Sequence, residues 1–162
     1  MGNMAKAETP TDDQASTELT NCPYYLITRT GLLVTAALKR ELREAGVDQV
    51  RPAYLGVLMS LWREDGLNVS ELGRRAGLEP STMTGLLDRM ERDDLVVRSA
   101  DPADRRAHRI ELTEVGRRVE RPVTTVVERA LTKSLEGIAE DELEQVKAVL
   151  RRVLANARTL HP

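Results

Sequence analysis

Apolar positions recur at helical spacing along most of the chain, with one short interval where the period shortens to that of strands. Between about 23 and 45, Leu26, Leu33, Ala37, Leu38 and Leu42 mark a long helix that Gly46 closes. Pro52 opens a second helix, with Leu55, Leu58, Met59 and Trp62 inward and Gly66 past its end. Asn68 then stands three residues before Glu71, an Asn form of the capping box, and Leu72 and Ala76 continue the apolar face of a short helix that Gly77 ends. After the turn Gly77-Leu78-Glu79 a further helix starts at Pro80 or Ser81. Its Met83, Leu86, Leu87 and Met90 fall at i, i+3, i+4 and i+7, which places them on one buried face. Leu95-Val96-Val97, a charged turn over 101–106 and the alternating Arg109-Ile110-Glu111-Leu112 predict a hairpin. Thr113-Glu114 starts a helix carrying Val115, Val119, Val123, Val126, Val127, Ala130 and Leu131, which Pro122 kinks or interrupts. The last helix runs from about 140 to 157, with Leu143, Val146, Val149, Leu150, Val153, Leu154 and Ala157 in a continuous stripe.

Helix, tight turn, helix and hairpin, in that order, is the layout of a winged helix-turn-helix. The predicted fold is therefore mainly α with a small β-hairpin wing, an α+β arrangement. On the second helix of the motif the outward positions are Ser81, Thr82, Thr84, Gly85, Asp88, Arg89 and Arg92, small hydroxyls followed by cations. Such a row suits a DNA major groove, where hydroxyls and guanidiniums meet base edges and phosphates. It equally describes an ordinary solvated helix face. The C-terminal stripe is likewise ambiguous by spacing alone, fitting either packed core or the seam of a dimer.

The runs NVSELGRRAGLEPSTMTGLLDRMERDDLV and DPADRRAHRIELTEVG resemble the DNA-binding core of the MarR family of bacterial regulators. The firmest element is the wing pattern formed by Asp104, Arg106, Leu112 and Thr113, and the helices before and after the core follow the family's order. Two departures stand out: Gly85 occupies a position where many members carry Arg, and Asp94 one where many carry Gly.

The polar stretch 1–20, with one Lys against Glu8, Asp12, Asp13 and Glu18, reads as a flexible arm, and the resemblance implies a single MarR-like domain over 21–162. Within it, 52–113 is a winged-helix DNA-binding lobe, and 21–46 and 114–160 are dimerisation helices. Val146, Leu150, Val153 and Leu154 then line a homodimer seam, and the twofold sets two recognition helices about one turn of double-stranded DNA apart, on an inverted repeat. Expected DNA contacts are Arg74, Arg75, Ser81, Thr82, Thr84, Gly85, Arg89, Asp104, Arg105 and Arg106. In this scheme Arg106 enters the minor groove and Asp104 shapes the tip or holds its guanidinium. A repressor role follows because it is the commoner one in the family. The resemblance also implies a small aromatic or amphipathic effector between the helices and the lobe. Tyr24, Tyr54 and Trp62 are its candidate contacts, against the plain reading that aromatics at helical spacing are core.

Charge weakens the nucleic-acid reading. The 162 residues carry 24 basic and 26 acidic side chains, a net charge of −2. Within 69–118 ten arginines face ten acidic residues. DNA binding thus requires Arg74, Arg75, Arg89, Arg105, Arg106 and Arg109 to gather on one face while Glu91, Asp93 and Asp94 point elsewhere. The competing class is a winged-helix module that binds a protein and no DNA. With no Phe, one Trp and three Tyr, the apolar content is mainly Leu, Val and Ala, which favours helices. No metal-ligand cluster, phosphate-cradling glycine loop or nucleophile-base pair is evident, so neither an enzyme nor a cofactor is expected. The single Cys22 precedes Pro23 and reads as a helix-entry residue rather than a redox sensor. The absence of a ~20-residue apolar run or a secretion signal points to a cytoplasmic protein.

Overall fold

The computed structural model describes residues 20–100 and 108–159. Seven α-helices and three strands follow in order among these residues: α1 (Pro23–Glu44), a 3-10 turn (Pro52–Tyr54), α2 (Leu55–Arg63), β1 (Leu67–Asn68), α3 (Val69–Ala76), α4 (Pro80–Arg92), β2 (Val96–Ala100), β3 (His108–Leu112), α5 (Glu114–Arg118), α6 (Glu120–Ser134) and α7 (Glu140–Thr159). The expected arm over 1–20 lies, apart from Thr20, outside the described residues.

The local signals act as their chemistry requires. Asn68 Oδ1 accepts a 2.8 Å bond from the Glu71 N–H, capping α3. The Glu71 carboxylate binds Arg74 and Arg75, so the box forms by half. Gly77 ends α3 in the left-handed conformation at φ 68. Asp94 adopts φ 54 after α4, the left-handed turn for which a short polar side chain substitutes tolerably for glycine. Thr113 caps α5 through a 2.9 Å bond from the Gly116 N–H while its own hydroxyl donates to the Asp94 carbonyl at 2.6 Å. That double role ties the base of the wing to the end of α4.

The hairpin pairs Val96 with Leu112 and Ala100 with His108, and a third strand joins it: Leu67 pairs with Ile110 and Asn68 with Arg109, giving the antiparallel order β1-β3-β2. The sequence reading misses β1, because two residues carry no period. The helix begun at Thr113 breaks at Val119 into α5 and α6. Pro122 has no N–H to offer the Arg118 carbonyl, which ends α5 there.

One core joins α2, α3, α4 and the sheet, with Tyr54, Val57, Leu58, Leu72, Met83, Met90, Leu95 and Ile110 at 0% exposure. Each such aliphatic side chain contributes roughly 1.5–3 kcal/mol by leaving water. Met59, expected inward, is exposed. Val57 and Leu61 take the inner face with Leu58 instead, and Met59, about 100° round the helix from Leu58, falls outside it. The end of α1 packs on α6, where the buried Glu41 carboxylate meets Arg129 at 2.7 Å and Lys133 at 3.2 Å. The Lys133 hydrogen bond is the largest influence holding that carboxyl below its ordinary pKa. Leu26 and Leu33, also expected inward, are exposed, and α7 packs closely against no other described element of the chain. No helix among the described residues is long and apolar enough to cross a membrane.

Candidate nucleic-acid interface

Helix α4 presents the proposed groove-reading row. Burial of Met83, Leu86, Leu87 and Met90 holds its other face outward, where Ser81, Thr82, Thr84, Asp88 and Arg92 are exposed and Gly85 and Arg89 half-exposed. The Thr84 hydroxyl donates back to the Pro80 carbonyl at 3.2 Å, a bond that turns its oxygen lone pairs toward solvent. Gly73 sets the α3–α4 crossing: a methyl there would meet the Leu78 carbonyl oxygen at 3.2 Å and Met83 Cγ at 3.3 Å.

The acidic residues that threatened this surface are largely occupied. Arg98 of β2 donates to Asp88 at 2.7 Å and to the Glu91 carboxylate, whose other oxygen receives the Arg98 N–H at 3.1 Å. Arg98 thereby braces the wing strand against α4. On the opposite flank Asp93 accepts the Tyr54 hydroxyl at 2.7 Å and pairs with Arg51 at 3.4 Å. Burial, foremost, and the Asp93 carboxylate push the Tyr54 phenol above its ordinary pKa. Asp94 is exposed in its tight turn.

Two of the expected cations are engaged by carboxylates. Arg74 and Arg75 bind Glu71 at 2.6 Å, Arg75 also binds Glu64 at 2.6 Å, and both rim an open groove of about 650 Å³ between α2 and α3 with Gly56, Met59, Ser60 and Arg63. Their hydrogen bonds, Arg74 first, lower the Glu71 carboxyl to about 2. Arg109 sits half-buried at the wing base, lining a cavity of about 260 Å³ with Arg75, Asn68 and Glu71. Asp104, Arg105 and Arg106 lie outside the described residues.

Tyr54 is removed from any open effector cleft, because its ring is fully buried and its hydroxyl is spent on Asp93. Trp62 is half-buried and donates its indole N–H to the Gly116 carbonyl at 3.0 Å, whereas Tyr24 is 78% exposed near the start of α1. The seam candidates Val146, Leu150, Val153 and Leu154 are all exposed in the single chain. Cys22 is the residue before Pro23 at the entry to α1, half-buried, with no side-chain cap bond.

Two positioning residues escaped the sequence reading. Arg98 is one. Asp65 is the other: its carboxylate accepts the Leu112 N–H and an Arg117 N–H, both at 2.9 Å, fixing the α2–β1 turn to the wing base. Neither lies near its partner in sequence, and only the excess of charge around the hairpin marked them.

The MarR family model matches residues 52–108. The regulator SarZ of Staphylococcus aureus, named an HTH-type transcriptional regulator, is 31% identical over 99 residues, 61% of this chain and 66% of SarZ, so the match spans just under two thirds of that relative's length. Among solved structures, a MarR-family transcriptional regulator from Rhodococcus sp. RHA1 is 30% identical, with 86% of this chain and 94% of that one covered at a TM-score of 0.68. The transcriptional repressor CouR bound to a 23-mer DNA duplex is 26% identical, with 84% and 94% covered at a TM-score of 0.74. CouR from Rhodococcus jostii RHA1 has also been solved with p-coumaroyl-CoA, at 28% identity, 84% and 94% coverage and a TM-score of 0.69.

Proposed function

This chain belongs to the MarR family of transcriptional regulators, which are not enzymes, and from that premise we propose that it works in the cytoplasm as a homodimeric repressor on an inverted-repeat operator. The observation that carries the DNA reading is the outer face of α4, a polar row of hydroxyls with Arg89 and Arg92, beside which Arg98 engages Asp88 and Glu91 and Tyr54 engages Asp93. Ser81, Thr82, Thr84 and Arg89 meet base edges and phosphates in the major groove, and Arg106 meets the minor groove. The exposed stripe on α7 supports the dimer, which presents two such faces to successive grooves.

A small aromatic or amphipathic effector releases the operator by binding between the outer helices and the lobe, near Trp62 and Tyr24. CouR, a relative by fold and sequence, is the precedent for a small-molecule complex. Such a ligand must prefer the arrangement that does not fit DNA, since equal affinity for both shifts nothing. The alternative, a winged-helix module whose neutral surface binds a protein and no DNA, is the less supported reading, since a relative of the same fold, CouR, was solved on a DNA duplex.

The test is an anisotropy series at several salt concentrations on selected operator and scrambled duplex. Arg106→Ala weakens both and lowers the salt slope by roughly one for each phosphate that the wing no longer neutralises. Thr82→Ala narrows the gap between the two by about 1–3 kcal/mol with little change in slope. Wild-type protein that binds neither duplex would end this reading.

A further inference from the structure

The outermost row of α4 runs Ser81, Gly85, Asp88 and Arg92, opposite the buried Met83, Leu86, Leu87 and Met90. Ser81, Asp88 and Arg92 are exposed, yet Gly85, the one member with no side chain of its own, is only half-exposed. Arg89 covers it. A methyl built on Gly85 would lie 3.6 Å from Arg89 Nη1, with no other side chain that near. The Arg89 stem runs back toward the helix N-terminus, as helical side chains do, and lays its guanidinium on bare backbone one turn earlier. That guanidinium makes no hydrogen bond or ion pair among the described residues, because the carboxylates around it are engaged elsewhere: Asp88 and Glu91 with Arg98, Asp93 with Tyr54 and Arg51. Its planar set of N–H donors is held against the helix and left open to a ligand.

Resting on the DNA-binding reading above, we infer that Arg89 and Gly85 act as one specificity-determining unit, in which Arg89 reads a guanine in each half-site through O6 and N7 in the major groove. The guanidinium fork matches those two acceptors in one plane. Gly85 serves the fork twice. It leaves the space in which the guanidinium lies, and its missing side chain lets the helix approach the base edge closely.

Selection from random duplexes with the full chain, followed by anisotropy on the selected site and on each single-base change of it, tests the pair. Wild type enriches one guanine per half-site. Arg89→Ala and Arg89→Gln lose the preference at that position alone, the ratio of Kd values falling on the order of 5- to 150-fold. Gly85→Leu, a substitution that favours helix, fills the space of the guanidinium and erases the same position. Thermal melts of the variants that match wild type establish that the fold is kept. Uniform weakening on every duplex by Arg89→Ala, with the guanine preference intact, would overturn the inference by making Arg89 a phosphate contact. An unchanged preference in Gly85→Leu would equally overturn it. Wild type selecting no site would remove the DNA-binding reading and this inference with it, whereas a wild-type site read identically by Arg89→Ala removes this inference alone.

Discussion

The lobe from α2 to β3 and the C-terminal helix α7 draw on the same residue types, Leu and Val at helical spacing, and end in opposite states. In the lobe Val57, Leu58, Leu72 and Ile110 are wholly buried. On α7 Val146, Val149, Leu150, Val153 and Leu154 are 40–59% exposed, and they form one contiguous face. A short helix such as α3 closes its core because β1, α2 and α4 meet it within the same chain. Helix α7 has no such neighbour among the described residues, and a row of five large apolar side chains in water marks a surface awaiting a partner. The difference shows that a periodic stripe reports an apolar face without reporting whether the same chain buries it.

The largest effect is expected from breaking the α7 side of this comparison. Leu150→Lys combined with Leu154→Lys places two cations in the proposed seam, where unpaired charge is strongly disfavoured, and the proposed dimer should dissociate or unfold. Sedimentation velocity reads the result. An intact dimer of the double variant would assign the exposed stripe to something other than self-association, and the lobe itself should keep its circular dichroism if the chain survives as a monomer.

The lobe breaks by the opposite route, through too much atom where α5 packs on its base. Gly116 at the start of α5 faces the entry to β2, and a methyl built there would stand 2.1 Å from the Leu95 carbonyl oxygen and 3.1 Å from Leu112 Cδ2. Because the nearer atom is backbone, α5 or the Leu95 turn must shift. Gly116→Ala should cost about 1–3 kcal/mol as an overpacked site. A chemical denaturation midpoint equal to wild type would show that the wing base gives more freely than its bonds at Thr113 and Asp94 imply.

These two sites also mark what the sequence could and could not disclose. Asn68, Gly77, Pro80 and Thr113 announce element boundaries because caps and turns are local chemistry, readable within four residues. The inward face of α4 was legible for the same reason. Pairings across long separations were not: Asp65 reaches Leu112 and Arg117, Tyr54 reaches Asp93, and Arg98 reaches back to Asp88. Tyr54 is the sharpest case. Placed on a helix start beside an expected cleft it reads as a ligand contact, and only the fold shows its ring closed over and its hydroxyl tying α2 to the end of α4. The ion pairs of Arg75 were equally hidden, since Glu64 lies eleven residues away and only the fold brings it to the guanidinium that Glu71 also holds.

The smallest effect sharpens the comparison at the level of single carboxylates. In the lobe Glu71 is held by two guanidiniums, Arg74 and Arg75, and its carboxyl falls to about 2. On α7 Glu144 is held by one ammonium, Lys147 at 2.7 Å, and is lowered as well. Both groups are depressed in the folded state, so each contributes fully above its ordinary pKa, and the contribution is lost as pH falls through the folded value. For Glu71 that window runs from about 4.5 down to about 2. Both pairs stand in solvent, where screening keeps their effect on stability small. The informative readout is therefore the titration itself, followed by the carboxyl ¹³C shift of each residue. Glu71 should titrate near 2, and Arg74→Ala should bring it upward while leaving Glu144 in place. In concentrated salt Glu144, with one hydrogen-bonded ammonium and the more distant charge of Arg151, should move back toward the ordinary value further than Glu71, whose partners form several hydrogen bonds. A Glu71 that titrates at the ordinary value would mean that Arg74 and Arg75 swing free of it in solution, and that the ion pairs seen at the start of α3 do not hold these two guanidiniums.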